Sequence, residues 1–193
     1  ALARGALILT ETGPIAVEDL QPGMRALTAE GRVETITWIG SITLYPGTSS
    51  PETTTNFLTR ITAEAFGFAR PASDLLLGPR ARLLLQDKRC RAIAGSDSAY
   101  VPAQAFVDGV SVIELRPSTP VTVFHLALQR QGSLRTTGME VESYHPSGGI
   151  EHMTEARLLE LFTALFPHIS NLADFGPSAH PRLTRFEVER LLS

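Results

Sequence analysis

Apolar residues near the start of this chain recur at every second position, in short runs that Gly, Pro and Asp keep interrupting. That period belongs to a strand with one buried face, and the interruptions hold each strand to a few residues. Leu7, Leu9, Ile15 and Val17 alternate with smaller or polar neighbours, and Thr12-Gly13-Pro14 breaks the run as a tight hairpin does. Glu18-Asp19-Leu20-Gln21-Pro22-Gly23 cannot continue a strand, because Pro22 has a locked φ and Gly23 accepts the positive φ of a type II turn. Alternation resumes over Arg25–Thr28 and over Val33–Ile39, so two hairpins follow each other within the first forty residues. Runs rich in Val, Ile, Leu and Thr continue to about Tyr144. The pattern predicts a mainly β fold of many short strands.

The stretch from Leu44 to Asn56 has no apolar stripe and reads as an exposed loop, and Ala94 to Tyr100 reads as a turn between strands. Beyond His145-Pro146-Ser147-Gly148-Gly149 the spacing becomes helical. Leu158, Leu159, Leu161, Phe162, Leu165 and Phe166 form a wide apolar face on a segment that Pro167 should stop. A last helix is expected from Thr184, with Thr184 and Glu187 at capping-box spacing and Phe186, Val188, Leu191 and Leu192 as core contacts. Helices this short are not stable alone and must pack on the β part. The expected organisation is a β domain over residues 1–146 with a helical C-terminal extension over 147–193 packed on it.

At 193 residues the chain can bury one sizeable core, and a net charge of −3 with 43% hydrophobic residues argues against a disordered or nucleic-acid-binding protein. No apolar run approaches a membrane span and the N-terminus lacks a cleavable-signal pattern, so a soluble protein is expected, cytoplasmic or secreted. Cys90 is the sole cysteine, which excludes a disulfide framework and a cysteine-rich zinc cluster. The histidines lack metal-ligand spacing, and neither a metal nor a cofactor is expected.

The order of several segments resembles the Hint superfamily of inteins and hedgehog autoprocessing domains, most closely its bacterial Hint_2 branch. These are Ala3-Arg4-Gly5, the Thr10 to Gly13 turn, Val17-Glu18-Asp19-Leu20 with Pro22-Gly23, Leu27-Thr28 and Trp38-Ile39-Gly40. Asp74 to Leu85, Val101 to Gly109, Phe124-His125-Leu126 and Gly138 to Tyr144 continue the match, as do Leu165-Phe166-Pro167 and the segment from Phe175 to Leu192. The resemblance implies a domain that attacks the peptide bond before its own first residue, converting an amide to a thioester or ester. That chemistry needs a nucleophile at the first residue, a histidine to protonate the departing nitrogen, and oxyanion donors.

Against that pattern the chain departs at three positions. Ala1 stands where the nucleophile is expected, and Ala81, in Gly78-Pro79-Arg80-Ala81-Arg82, stands where the family has its central histidine. His125 matches a family histidine as a possible remnant, but the second histidine expected after it is Gln131, which cannot act as a base near neutral pH. The histidine–asparagine pair that ends a splicing domain is also missing. Three coincident departures favour natural degeneration over an engineered trap, which would change one or two residues. The reading is therefore a Hint-fold module without autoprocessing activity, acting as a binding or structural unit on a protein partner yet to be identified, with no nucleic acid and no membrane. The alternative is an autoprocessing domain captured inactive by replacement of its nucleophile, whose partner is its own upstream polypeptide.

Ordinary roles stand beside these. His125 in a strand-like run is more often structural than catalytic, and Thr10 and Thr28 read as strand-end residues. Cys90 reads as inert in an alternating strand. Glu18 and Asp19 suit backbone capping, and Arg80, Arg82, Arg89 and Arg91 suit a solvated strand face. A hydrolase is a weaker reading: there is no G-x-S-x-G elbow, and a cleft would have to join Ser143 or Thr10 to His125.

Overall fold

The computed structural model describes residues 1–47, 57–146 and 156–192. Thirteen strands run in chain order: β1 Leu2–Ala3, β2 Leu7–Thr10, β3 Gly13–Ala16, β4 Arg25–Leu27, β5 Val33–Leu44, β6 Leu58–Ile61, β7 Leu75–Leu77, β8 Arg82–Gln86, β9 Ser98–Pro102, β10 Val112–Leu115, β11 Val121–Leu128, β12 Ser133–Arg135 and β13 Glu140–Glu142. Three helices join them, α1 Cys90–Ala94, α2 Ala156–Ala164 and α3 Arg185–Leu192. A nine-stranded sheet has the order β10-β6-β7-β1-β11-β5-β4-β2-β3, and a four-stranded sheet the order β12-β13-β8-β9. All the strand pairs are antiparallel, as the alternating sequence requires.

The hairpin between β2 and β3 turns at Glu11-Thr12, one step before the expected break, and Gly13-Pro14 opens β3. β3 lies at the edge of its sheet, where a proline costs no ladder bond. The Thr10 hydroxyl closes this turn by donating to the Gly13 carbonyl at 2.6 Å. At Gln21-Pro22-Gly23-Met24 the Met24 amide donates to the Gln21 carbonyl at 3.1 Å and Gly23 has φ +97°, the expected turn. Glu18 caps the Gly5 amide at 2.8 Å.

Four expectations need correction. Cys90 does not sit in a strand: it begins α1, fully buried, because the Asp87 carboxylate ties the Arg89 amide and Gly95 ends the turn in a left-handed conformation. The four arginines do not share one strand face, since Arg89 pairs with Asp87 and Arg91 with Asp97 outside the sheet, while Arg80 lies in a turn and Arg82 on β8. On α2 and the turn that follows it, Phe162 and Phe166 face inward but Leu161 and Leu165 are exposed, so the apolar face is narrower than its composition. On α3, Val188 and Leu191 are buried, whereas Leu192 is exposed and so is Phe186, with the Arg190 guanidinium over its ring. The capping box is present: Glu187 Oε2 accepts from the Thr184 amide at 2.7 Å and Thr184 Oγ1 accepts from the Glu187 amide at 3.3 Å. Residues 48–56 of the expected loop lie outside the described residues, as do the side chains of Leu158 and Leu159.

The main core is drawn from both sheets and α3, with Leu2, Ile8, Ile36, Leu77, Leu83, Val101, Leu126 and Val188 among its buried members. A smaller aromatic cluster joins the C-terminal segment to β5. Gly40 explains how. A Cβ at residue 40 would lie 2.1 Å from the Trp38 ring, so the indole folds back over the bare backbone. From there Trp38 Nε1 donates to the Leu165 carbonyl at 2.8 Å, and its ring packs on Phe166 and Tyr144 at centroid distances of 4.4 and 5.4 Å.

Candidate functional site

β1 lies between β7 and β11, with Leu2 opposite both Leu77 and Phe124. This pairing carries Ala1 to the head of the turn that links β7 to β8. The Gly78 amide donates to the Ala1 carbonyl at 2.9 Å, and a Cβ on Gly78 would lie 2.8 Å from the Ala1 methyl. Only glycine lets the two backbones approach this closely. The turn itself is Gly78-Pro79-Arg80-Ala81, closed by the Ala81 amide on the Gly78 carbonyl at 3.3 Å. Pro79 supplies its second position and Arg80, with φ +58°, its third. Ala81 is thereby turned inward and buried.

Ala1, Ala81 and His125 line one cavity of about 650 Å³. Its apolar wall includes Leu2, Phe124, Leu126, Tyr144 and Phe162, and its charged wall Arg80, Arg82, Glu142, Arg182 and Arg185. The C-terminal segment therefore builds part of the site: Phe162 comes from α2, Arg182 from the approach to α3, and Arg185 from its first turn.

His125, on β11 opposite Gly40, packs edge-on against Tyr144 at 5.7 Å. Burial lowers its pKa to about 4, so the imidazole is neutral at physiological pH. Burial likewise pushes the Tyr144 phenol up to about 12. The Glu142 carboxyl, only 7% exposed, is raised by burial and pulled back by Arg182 and Arg82. Arg182 Nε donates to its Oε1 at 2.8 Å, while Arg82 Nε lies 3.9 Å from its Oε2. Both arginines are held from behind, Arg82 by the Leu183 carbonyl at 2.8 Å and Arg182 by the His145 carbonyl at 3.0 Å.

Gln131 is not among the residues that line this cavity. Buried beyond the end of β11, it accepts from the Ala179 amide at 2.6 Å and donates to Tyr100 Oη at 3.4 Å and the Ser143 carbonyl at 3.5 Å. The network continues from Tyr100 Oη to Ser133 Oγ at 3.0 Å and from Ser133 Oγ to Glu30 at 2.7 Å. His180 bridges Glu30 at 3.0 Å and Ser98 Oγ at 2.9 Å. A serine, a histidine and a carboxylate in series have the connectivity of a triad. None of the three lines the cavity, however, and Glu30 already accepts from the Ser133 amide and hydroxyl. They tie residues 178–183 to the β domain. Ser143 does border the cavity with His125, but no hydrogen bond joins the two, and its hydroxyl accepts from the Gly132 amide at 3.2 Å. Thr10 lies elsewhere, in the β2–β3 turn.

Sequence reasoning missed the charged wall. Arg182 and Arg185 lie about a hundred residues from Arg80 and Arg82, and no local pattern pairs them. Glu142 gave no signal in an ordinary alternating run. Among the described residues no group of three or more His, Cys, Asp or Glu is arranged to hold a metal ion.

The mainly β, antiparallel architecture is that of a Hint-type fold. Residues 1–148 match the Hint domain family, and the chain belongs to that family. Among solved structures it is similar to a bacterial intein-like domain from Clostridium thermocellum, with 13% identity and a TM-score of 0.51 over 75% of this chain and 98% of that one. It is similar too to a GSH-linked, splice-inactive variant of the AceL NrdHF class 3 split intein, with 10% identity and a TM-score of 0.50 over 76% of this chain and 99% of that one. At such identities the likeness is one of fold. No curated protein matches the chain. No helix among the described residues is long and apolar enough to cross a membrane.

Proposed function

We propose that this chain is a Hint-fold module related to self-cleaving domains that does not carry out the acyl shift and acts as a binding or structural unit for a protein partner. The observation that supports this is the cavity at Ala1, where the residues facing it at positions 1 and 81 are both methyl groups. An N-to-S or N-to-O shift needs a thiol or hydroxyl on the first residue, and alanine supplies neither. The neighbouring hydroxyls do not replace it. Ser143 is engaged by Gly132, and Tyr144 holds its proton to about pH 12. His125 is neutral and has no nucleophile to serve.

The test is a fusion that joins a foreign protein to Ala1, incubated with and without a thiol or hydroxylamine and followed by gel and mass spectrometry. The fusion should remain intact under all conditions. Release at the Ala1 junction would overturn the reading.

A further inference from the structure

Among the described residues, four arginines line this cavity against a single carboxylate, in a chain whose net charge is −3. They arrive from separate elements. Arg80 and Arg82 flank Ala81, Arg182 precedes α3, and Arg185 opens it. Arg82 and Arg182 share Glu142, which shows the geometry they offer: a buried carboxylate held by a guanidinium at 2.8 Å with a second cation at 3.9 Å. That carboxylate offsets one of the pair and leaves an excess of cations among the described residues of the lining. Arg185 reaches outward to Glu189 at 2.9 Å, an exposed helical pair that contributes little and can open.

Arg80 differs from the other three. It is exposed, forms no hydrogen bond or ion pair among the described residues, and holds a positive φ that ordinarily favours glycine. An arginine without a partner among the described residues, kept in a positive-φ turn at a cavity, fits a ligand contact better than a fold contact. The opposite chemistry is equally defined: Phe124, Tyr144 and Phe162 supply an aromatic lining to the same space. A volume of about 650 Å³ suits a small molecule or the last residues of a peptide.

We propose that the cavity is a binding site for a carboxylate carried on an apolar body, with Arg80 and Arg185 as the receiving cations and the aromatic lining as the seat of the body. The Arg82–Glu142–Arg182 cluster is the rigid floor beneath them. This deepens the binding reading given above and rests on it. It is tested without any fusion junction, so failure to bind and failure of that reading are separate results.

The experiment titrates the isotope-labelled chain with 3-phenylpropionate, with its neutral amide, and with an N-acetylated peptide ending in a free C-terminal phenylalanine, following backbone amide shifts. The acid should move the signals of Arg80, Ala81, His125 and Tyr144 and bind about tenfold more tightly than the amide, the margin expected of a charge-assisted contact. Tighter binding by the peptide than by phenylpropionate assigns the carboxylate to a polypeptide end, and the reverse order assigns it to a small molecule. The Arg80→Gly, Arg185→Ala double variant keeps the backbone conformation at residue 80 and should weaken the acid about tenfold while leaving the amide unchanged. Equal binding of acid and amide, undiminished binding by the double variant, or no shift at millimolar ligand would each overturn the proposal.

Discussion

His125 is an imidazole that folding deprives of its proton, with consequences for stability. Its pKa falls from 6.5 to about 4 in the folded chain, chiefly through burial. Between those two values the unfolded chain binds a proton that the folded chain refuses, so stability is full above pH 6.5 and declines as pH drops towards 4. At 1.36 kcal/mol per unit, the complete effect is on the order of 3 kcal/mol. A His125→Gln variant removes this contribution and leaves every carboxylate in place. Urea melts at pH 7 and pH 4.5 should therefore show a smaller acid-induced loss in the variant than in the parent. An identical loss in both would mean that the imidazole is not buried as described. Gly78 works at the same scale by a different means. Its missing Cβ admits the Ala1 methyl, so the first residue is placed by an absence as much as by the hydrogen bond that follows it.

At the scale of elements, the decisive contact is between the C-terminal segment and β5. Phe166 is buried among Trp38, Tyr144, Phe162 and Phe175, and Tyr144 in turn packs on His125. A Phe166→Ala substitution should cost about 3–5 kcal/mol of local packing, more than a short docked segment can lose and stay in place. The sole tryptophan reports the result: Trp38 emission should shift to the red in the variant, with limited proteolysis cutting between residues 156 and 176 while the β sheets survive. Unchanged emission would argue against the docking. These elements were unevenly legible in the sequence. The first hairpins, the Pro22-Gly23 turn and the Thr184–Glu187 box could be read because each is specified by neighbours within a few positions. The placement of Cys90 could not, since one turn of helix between two strands is shorter than any periodicity can register. Nor could the exposure of Leu161, Leu165 and Phe186, which depends on how far the β part reaches over each helix.

Over the whole molecule, antiparallel pairing brings together what the chain keeps apart: residue 1 from one end, 81 and 125 from the middle, and 182 from the other end all meet at one cavity. The first three were named in advance only through the family resemblance, because alanine carries no chemical signal of its own, and the arginines of the C-terminal segment were invisible until it docked. On the function proposed above, what separates this cavity from a reactive one is confined to few atoms. Ala1 and Ala81 both border the cavity, while Gln131 sits outside its described lining in a network that also secures residues 178–183. An Ala1→Cys, Ala81→His double variant, fused to an upstream protein and treated with thiol, should release that protein slowly. Ala1→Cys alone should be slower by about a hundredfold, the lower range of what a positioned general acid contributes. The comparison is read as product accumulating over time by mass spectrometry. A silent double variant with an intact fold would show that a thiol at residue 1 and an imidazole at residue 81 are not sufficient for release.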